Sequence, residues 1–421
     1  MKLKMFASTL ISIIAFTLSV ATGTRADTVT DWNRIAVQEV IIAGAARPGP
    51  SGALDIAVVQ LAVYDAVQAI VGEYQPYHCV IPGATGSTSS AAAKAARDVL
   101  VNRFPSRAAA IEAIYQQYLL DHPSLDANDP GVAVGTQAAA CIIALRATDG
   151  SFPNPPPPPF VGSLEIGVWR PTPPAFAPMA APWLGLVTPF ALNSPSQFRV
   201  KDPPDLSSPE YTRDYDEVKA VGKSDSTTRT AEQTDLANFW NSNYVALWCS
   251  VTRNLAEANL DHDGDTARLL ALVSMSMADA AITAWDSKIT FVFWRPITAI
   301  REGDNDGNPK TVGDPTWSPL IASPPYPDYT SGANNLTASA TRALSLFFGT
   351  NEMNFSVTTT NPGPTVTDTR DFTKFNDAQE EVVNARIYEG IHFRFADELA
   401  RKQGRLVAQW AHGHFLRPVG E

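Results

Sequence analysis

The sequence predicts an all-α protein. Apolar residues recur at three- and four-residue intervals in segment after segment, whereas strand-like alternation is confined to the short stretch 355–360. The 421 residues are 45% hydrophobic and 18% charged, which is a globular composition. This length can bury a large core, in one big domain or in two ordinary ones.

The predicted helices form two groups, because small turn residues separate them and a proline-rich stretch divides the chain. The N-terminal group comprises 31–45, 54–71, 91–103, 107–120 and 131–147. The C-terminal group comprises 231–256, 266–288, 334–348, 376–388 and 396–411. Asn376 with Gln379 favours a capping box at the start of one of these helices. The stretch 268–284 is very apolar but contains Asp279, so it predicts a buried core helix rather than a membrane span.

The stretch between the two groups predicts an ordered connection. Sixteen of the 33 prolines lie in 153–209, including a run of five at 155–159 that favours polyproline II. Large aromatic residues such as Trp169 and Trp183 also occur here, which a flexible linker would lack. We therefore expect a non-regular strap packed on the surface of the protein.

The first residues predict export. Lys2 and Lys4 precede an apolar run, and small residues before position 27 favour cleavage after Ala26. A secreted or periplasmic protein with no stable membrane anchor after cleavage is expected, and an oligomer stays open. The predicted organisation is a signal peptide at 1–26, an N-terminal helical half at 27–150, the strap at 151–209 and a C-terminal helical half at 210–421.

Charge and cysteine content exclude several classes of protein. The net charge is −11, from 32 Lys+Arg and 43 Asp+Glu, which argues against a nucleic-acid partner. The three cysteines, Cys79, Cys141 and Cys249, are too few for a disulfide framework and have no CxxC spacing. A single disulfide is compatible with export but is not implied.

The first candidate segment contains Lys288 and Arg295, followed by Pro296, where a helix is expected to end. In a continuous helix, seven residues return the second cation to nearly the same face, about 10 Å along the axis. The residues between them are apolar or aromatic, so both cations are expected to be buried and paired. They could converge on one anion, or form structural salt bridges with Asp279 or Asp286.

Two further segments place polar groups at helix ends. Ser331 and Gly332 precede a predicted helix, where free N–H groups and the hydroxyl would form an anion cradle, although Ser331 could also be a simple N-cap. Arg386 and His392 are six residues apart, and Gly390 between them permits a helix break that would bring them together. A surface pair is the alternative for the last two residues.

In this order the three segments resemble the vanadium-dependent haloperoxidase and type-2 phosphatidic acid phosphatase superfamily. The site of that family is written K-x6-R-P, then P-S-G-H, then S-R-x5-H-x3-D. The first motif is complete here, and the third matches at Arg386 and His392, with Ala385 in place of serine. The resemblance covers about 285–409, and the strap is similar to that of secreted bacterial haloperoxidases.

The resemblance implies a vanadate cofactor, in a site that phosphate could also occupy. The oxyanion-binding residues that it implies are Lys288, Arg295, Ser331, Gly332 and Arg386. His392 would bind the vanadium in a peroxidase or attack phosphorus in a phosphatase, and Lys288 would polarise the peroxide oxygen. Three buried cations without an anion would repel one another, so this cluster itself predicts an anion.

The sequence departs from the family pattern at two places. Ala333 stands where the family has its acid–base histidine, and the final aspartate is shifted by one residue to Asp397. Asp397 and Asn334 are the candidates for orienting or assisting the site, and Asp328 or His414 could substitute for the missing groups. Loss of general acid–base catalysis typically costs about 10²–10⁴-fold in rate.

Three functions follow from the resemblance. The first is an exported haloperoxidase that uses hydrogen peroxide to oxidise a halide or a small organic substrate. The second is an acid phosphatase with a phosphohistidine intermediate, which suffers more from Ala333 because the leaving alcohol needs a proton. The third is a non-catalytic oxyanion-binding protein, which Ala333 favours.

Overall fold

Helices account for most of the regular secondary structure in this computed structural model, which describes residues 27–42, 47–362 and 367–420. The N-terminal helices are α1 (Thr28–Val37), α2 (Gly52–Val71), α3 (Thr88–Arg103), α4 (Ala108–Asp121) and α5 (Pro130–Arg146). The next are α6 (Pro209–Val221), α7 (Ala231–Trp240), α8 (Tyr244–Asn259), α9 (Asp263–Phe291) and α10 (Pro296–Arg301). The last are α11 (Gly332–Phe348), α12 (Phe375–Tyr388) and α13 (Arg394–His414). The predicted signal peptide at 1–26 lies outside the described residues.

Two short strands, β1 (Glu352–Thr358) and β2 (Thr369–Lys374), form an antiparallel pair between α11 and α12. Phe355 faces Phe372 across the pair, and both rings pack into the main core. The predicted strand-like stretch therefore belongs to a small hairpin, and the predicted all-α class is confirmed.

Each predicted helix has a counterpart, with differences that have local causes. The segment predicted at 231–256 is divided into α7 and α8, because the side chain of Asn243 accepts hydrogen bonds from the N–H groups of Val245 and Ala246 and starts a new helix. Helix α6 was not predicted, although Ser208 caps it and proline occupies its first position. Helix α10 has six residues, which is too short for a periodic pattern.

The strap is ordered, as predicted, and between 151 and 208 it contains only the short 3₁₀ turn Leu184–Leu186. Trp169, in the middle of the strap, is fully buried. Its backbone N–H donates a hydrogen bond to the carbonyl of Val292 at 2.6 Å. The Asp279 carboxylate on α9 accepts the N–H groups of residues 190–192 at 2.6–3.0 Å. The strap is therefore fixed along the C-terminal half of α9.

The strap also uses the acids that were expected to pair with the predicted site. Asp279 binds the strap backbone, and Asp286 pairs with Arg199 of the strap at 2.6 Å. The alternative in which Lys288 and Arg295 form salt bridges with these two acids is therefore wrong. Both acids hold the strap on α9 instead.

Helix α9 is the central element of the core, and it packs against α2, α8, α11 and α13. The main hydrophobic cluster includes residues from both predicted halves of the chain. Two helical stretches, Gly49–Val71 and Asp263–Phe291, are long and apolar enough to cross a membrane. Their most apolar windows are 83% and 94% buried in the fold, so α9 is the core helix that was predicted.

A disulfide joins Cys79, in the connection after α2, to Cys141 on α5. Cys249 is buried and free. The sequence allowed one disulfide without implying it, and the fold supplies the pairing.

We predict that the strap tolerates no added atom where it touches α9. A Cβ on Gly185 would lie 2.5 Å from the backbone nitrogen of Asp286. Gly185→Ala should therefore lower the free energy of unfolding by about 1–3 kcal/mol, the usual cost of overpacking, in a urea titration.

The matched control is Gly413→Ala near the end of α13, where an added Cβ meets no atom within 4 Å. It should leave stability unchanged or slightly higher. Equal effects of the two substitutions would contradict a close contact between the strap and α9.

Candidate oxyanion site

Lys288 and Arg295 converge, but not along one helix. Helix α9 ends at Phe291, and the left-handed Val292 (φ 46°) turns the chain, so that Arg295 precedes α10 in extended conformation. The two cations meet through the loop 326–328. Lys288 Nζ donates to the carbonyls of Pro327 and Asp328 at 2.7 and 3.0 Å.

Arg295 joins this loop to the segment that carries the histidine. Its Nε donates to the carbonyl of Tyr326 at 2.8 Å, and its Nη1 donates to the carbonyl of Ile391 at 2.7 Å. The same Nη1 lies 3.2 Å from His392 Nε2. Arg295 and His392 are both buried, so the predicted convergence of these residues is confirmed.

The predicted break at Gly390 brings His392 into the site. Helix α12 ends at Tyr388, and Gly390 has φ 80°. A Cβ on Gly390 would lie 2.3 Å from the carbonyl oxygen of Gly222 at the end of α6. Glycine is needed here both for the backbone conformation and for this close approach.

Asp328 is the carboxylate that contacts the histidine. Its Oδ1 lies 2.7 Å from His392 Nδ1 and 3.5 Å from Arg295 Nη1. Asp397, expected to orient His392, instead accepts a hydrogen bond from Asn334 Nδ2 at 2.8 Å. Asp328, rather than Asp397, is therefore the carboxylate paired with His392, although this close contact lacks hydrogen-bond geometry.

Ser331 and Gly332 lie where the anion cradle was predicted, at the start of α11. Ser331 is buried and precedes the helix, but its side chain makes no capping hydrogen bond, so the simple N-cap alternative is wrong. A Cβ on Gly332 would come within 3.2 Å of the Trp285 ring. Gly332 and Ala333 both line the pocket described below.

Three buried carboxyl groups lie beside the three cations. The sequence pattern did not predict that the carboxyl groups equal the cations in number. Arg386 pairs with Glu389 at 2.6 Å, and Asp328 and Asp397 complete the set. Burial raises the pKa of Asp328 and of Glu389 to about 7, against the opposing effect of the neighbouring cations. Burial raises the pKa of Asp397 as well.

Because these carboxyl groups accompany the cations, the expectation that three buried cations by themselves require a bound anion is wrong. Burial and the nearby cations lower the pKa of Lys288, and burial also lowers the pKa of Arg295. Among the described side chains of this site, two buried donors have no hydrogen-bond partner, Arg295 Nη2 and Arg386 Nε, and carboxyl oxygens of Asp328, Glu389 and Asp397 also have none. These unpaired donors, rather than the number of cations, indicate a binding site for an anion.

His392 has the protonation state that a ligand or nucleophile needs. Burial, followed by Arg295, Lys288 and Arg386, lowers its pKa well below the ordinary value, so the imidazole is neutral at neutral pH. Nδ1 faces the carboxylate of Asp328 and is the nitrogen expected to carry the proton. Nε2 lies 3.2 Å from Arg295 Nη1, so an electrophilic centre bound by Nε2 would replace this contact.

Arg386 and His392 line a pocket of about 270 Å³. Its walls include Trp285, Tyr326 and Tyr244, and residues 241–243 between α7 and α8 also line it. Lys288 and Arg295 lie close to the Tyr326 ring, at 5.0 and 4.9 Å from its centroid. The cationic centre therefore adjoins a pocket with aromatic walls.

Sequence reasoning named Asp328 only as a substitute and did not name Glu389, Tyr244 or Tyr326 as site residues. Signals were available for two of them. Glu389 is three residues after Arg386, a spacing at which helical side chains meet, and Asp328 lies within the second motif. His414 was also named as a substitute, but its ring stacks on Trp410 and is exposed.

Comparisons with known proteins relate this chain to vanadium-dependent peroxidases. A family model described as the VCPO second helical-bundle domain matches residues 268–421. The vanadium chloroperoxidase of Curvularia inaequalis is 32% identical over 186 residues, 36% of this chain and 30% of that protein. The match thus spans about a third of the curated relative.

Two similar solved structures extend the likeness to nearly the whole chain. The first bacterial vanadium-dependent iodoperoxidase is 25% identical, with a TM-score of 0.77 over 93% of this chain and 97% of that one. A holo-type bacterial vanadium-dependent chloroperoxidase is 17% identical, with a TM-score of 0.73 over 93% of this chain and 96% of that one. At this lower identity the second likeness shows the fold alone.

We predict that the affinity of the site for sulfate rises as pH falls. Asp328 and Glu389 lose their negative charge as pH drops through about 7, so the site becomes more positive. Since sulfate itself does not titrate in this range, it should bind about tenfold more tightly near pH 6 than near pH 8 by isothermal titration calorimetry.

Asp328→Asn should bind sulfate more tightly than the wild type at the higher pH and show a shallower dependence. The control is the double variant Arg386→Gln/Glu389→Gln, which removes the arginine contact without leaving a buried unpaired carboxylate. Equal affinity at the two pH values in the wild type would contradict the assigned carboxyl groups.

Proposed function

We propose, because this chain is a relative of the vanadium-dependent haloperoxidases, that it is a vanadate-dependent haloperoxidase that uses hydrogen peroxide to oxidise halide. The observation that carries the proposal is a buried His392 that contacts Arg295 and lines one pocket with Arg386. The relatives' printed names specify chloride for one protein and iodide for another. The choice of halide for this chain is left to the assay below.

The residues present fit vanadate, which is a tetrahedral oxyanion. The unpaired donors Arg295 Nη2 and Arg386 Nε would bind its oxygens, together with Lys288 and the groups at the start of α11. His392 Nε2 would be the ligand to vanadium. Bound vanadate would supply the Lewis acid that activates peroxide.

The chain's own residues have distinct tasks in this proposal. Lys288, whose Nζ is fixed by two carbonyls, would place positive charge beside the peroxide oxygen. Asp328 would hold the Nδ1 proton of His392 and so keep Nε2 unprotonated. The aromatic walls formed by Trp285 and Tyr326 would limit water at the cationic centre and leave room for an organic acceptor.

Ala333 distinguishes this site from the family pattern. It lines the pocket and cannot transfer a proton. A phosphatase would need such a group to protonate the leaving alcohol, whereas peroxide carries acidic protons of its own. A slow peroxidase is therefore favoured over a phosphatase, and a non-catalytic oxyanion-binding protein is the remaining alternative.

Export is part of the proposal. The predicted signal peptide supports it, and so does the Cys79–Cys141 disulfide, since such bonds persist in oxidising compartments. Fractionation of the native cells should place the mature chain outside the cytoplasm, with its N-terminus near residue 27. Recovery of the uncleaved chain in the cytoplasm would contradict export.

The activity is tested on the purified protein with and without added vanadate. We expect peroxide-dependent bromination or iodination of a dye that requires vanadate and is lost in His392→Ala. His414→Ala, which removes an exposed histidine, is the matched control and should keep full activity. Hydrolysis of an aryl phosphate without halogenation would instead favour the phosphatase, and vanadate binding without either reaction would favour a binding protein.

We predict that Ala333→His increases the halogenation rate by about 10²-fold or more, because it restores a proton-transfer group at the pocket wall. Steady-state kinetics at saturating vanadate measure the change in kcat. Ala333→Phe adds a ring of similar size without a titratable nitrogen and should give no increase. A rate for Ala333→His that equals the rate for Ala333→Phe would exclude this role for position 333.

A further inference from the structure

A second polar pocket of about 290 Å³ lies between α11, α12 and α13, away from the oxyanion site. Thr341, which lines it, follows Gly332 of the oxyanion site by nine residues of α11, or about 14 Å along the helix axis. The lining side chains of this pocket are polar throughout and include the two cations Arg342 and Arg405. The residues that line it include no carboxylate.

Arg405 is held in a fixed orientation by neutral groups. Its Nε donates to Gln379 Oε1 at 2.7 Å, and its Nη2 donates to Asn376 Oδ1 at 2.8 Å. Gln379 is itself buried, and its Nε2 donates to Thr341 Oγ1 at 2.7 Å. The guanidinium of the half-buried Arg405 is therefore positioned by neutral amides, one buried and one exposed, and Glu398 is the carboxylate that acts on its charge without a direct ion pair.

This network replaces the capping box predicted for α12. The helix begins at Phe375 with no side-chain cap, because Asn376 and Gln379 bind Arg405 instead of each other's backbone. Two amides that would stabilise a helix end are thus used to orient a cation.

Arg342 supplies a second, unpaired donor. Its Nε is buried and has no hydrogen-bond partner in the described part of the chain. Across the described ranges, neither Arg342 nor Arg405 forms an ion pair, whereas Arg401, one turn before Arg405, pairs with Glu398 at 2.5 Å. Burial and the neighbouring Arg401 and Arg342 lower the pKa of Arg405, which agrees with like charges held close together.

We propose that this pocket binds a small oxyanion, held by the guanidinium groups of Arg342 and Arg405 and by the amides around them. Sulfate, phosphate and carboxylates share the chemistry that two planar guanidinium groups recognise. The pocket is independent of the proposed peroxidase activity, since none of its lining residues lies in the oxyanion site.

The test is calorimetric titration of the intact chain carrying Arg386→Gln/Glu389→Gln, which removes one cation of the oxyanion site, with binding at the second pocket identified by its dependence on Arg342 and Arg405. We expect one remaining class of sites for sulfate or phosphate, with acetate as the carboxylate probe and chloride as the ionic-strength control. Adding Arg405→Gln or Arg342→Gln should weaken binding by about tenfold or more, the usual effect of losing a charge-assisted hydrogen bond. The probe that binds most tightly identifies the class of anion.

Arg401→Gln is the matched control, because it removes a cation from the same helix that already has a carboxylate partner. It should leave the affinity unchanged, and circular dichroism should show that each variant is folded. Arg405→Lys, which keeps the charge and loses the planar fork, keeps the test decisive if a glutamine variant unfolds: sulfate should raise Tm less in the chain with Arg405→Lys than in the same chain with Arg405, a comparison in which non-specific stabilisation by sulfate cancels. Unchanged affinity in both arginine variants, or no anion binding beyond that of chloride, would overturn the proposal.

Discussion

The buried guanidinium of Arg295 is the group on which the geometry of the oxyanion site depends. It bonds backbone carbonyls from the loop 326–328 and from the segment before His392, and it lies within 3.5 Å of Asp328. These elements are far apart in the sequence, and a buried cation requires all of them to be in place. Removing one partner of a buried charge typically costs about 3–5 kcal/mol, so the site and the local fold are stabilised together.

The net charge of the site varies with protonation. Its own carboxylates can balance the cations when no anion is bound, and protonation of these carboxylates leaves positive charge for an anion to balance. With every group ionised, Lys288, Arg295 and Arg386 are balanced by three carboxylates. Because the pKa values of Asp328 and Glu389 are raised to about 7, protons can neutralise part of that negative charge near neutral pH. An arriving oxyanion can therefore take over charge compensation from the protein's own carboxylates.

The sequence predicted which residues come together better than it predicted the contacts among them. Lys288, Arg295, Arg386 and His392 follow from motif spacing, and Gly390 predicted the helix break that brings the last two together. The break at Val292 was not visible, because it depends on a left-handed residue at the end of an apolar helix. The pairing of carboxylates with cations, and the selection of Asp328 over Asp397, depend on which loops meet in three dimensions.

Net charge argues against a nucleic-acid partner but carries no information about small ions. The net charge of −11 is spread over the surface and acts through water. At physiological ionic strength, salt screens such charges at distances beyond about 8 Å. In a buried site, a cation about 4 Å from an anion contributes about 4 kcal/mol at an effective dielectric constant near 20. A few buried guanidinium and ammonium groups therefore outweigh the distant acidic surface. An acidic protein can hold an oxyanion because binding is decided at contact distance, whereas a nucleic acid would have to meet the whole surface.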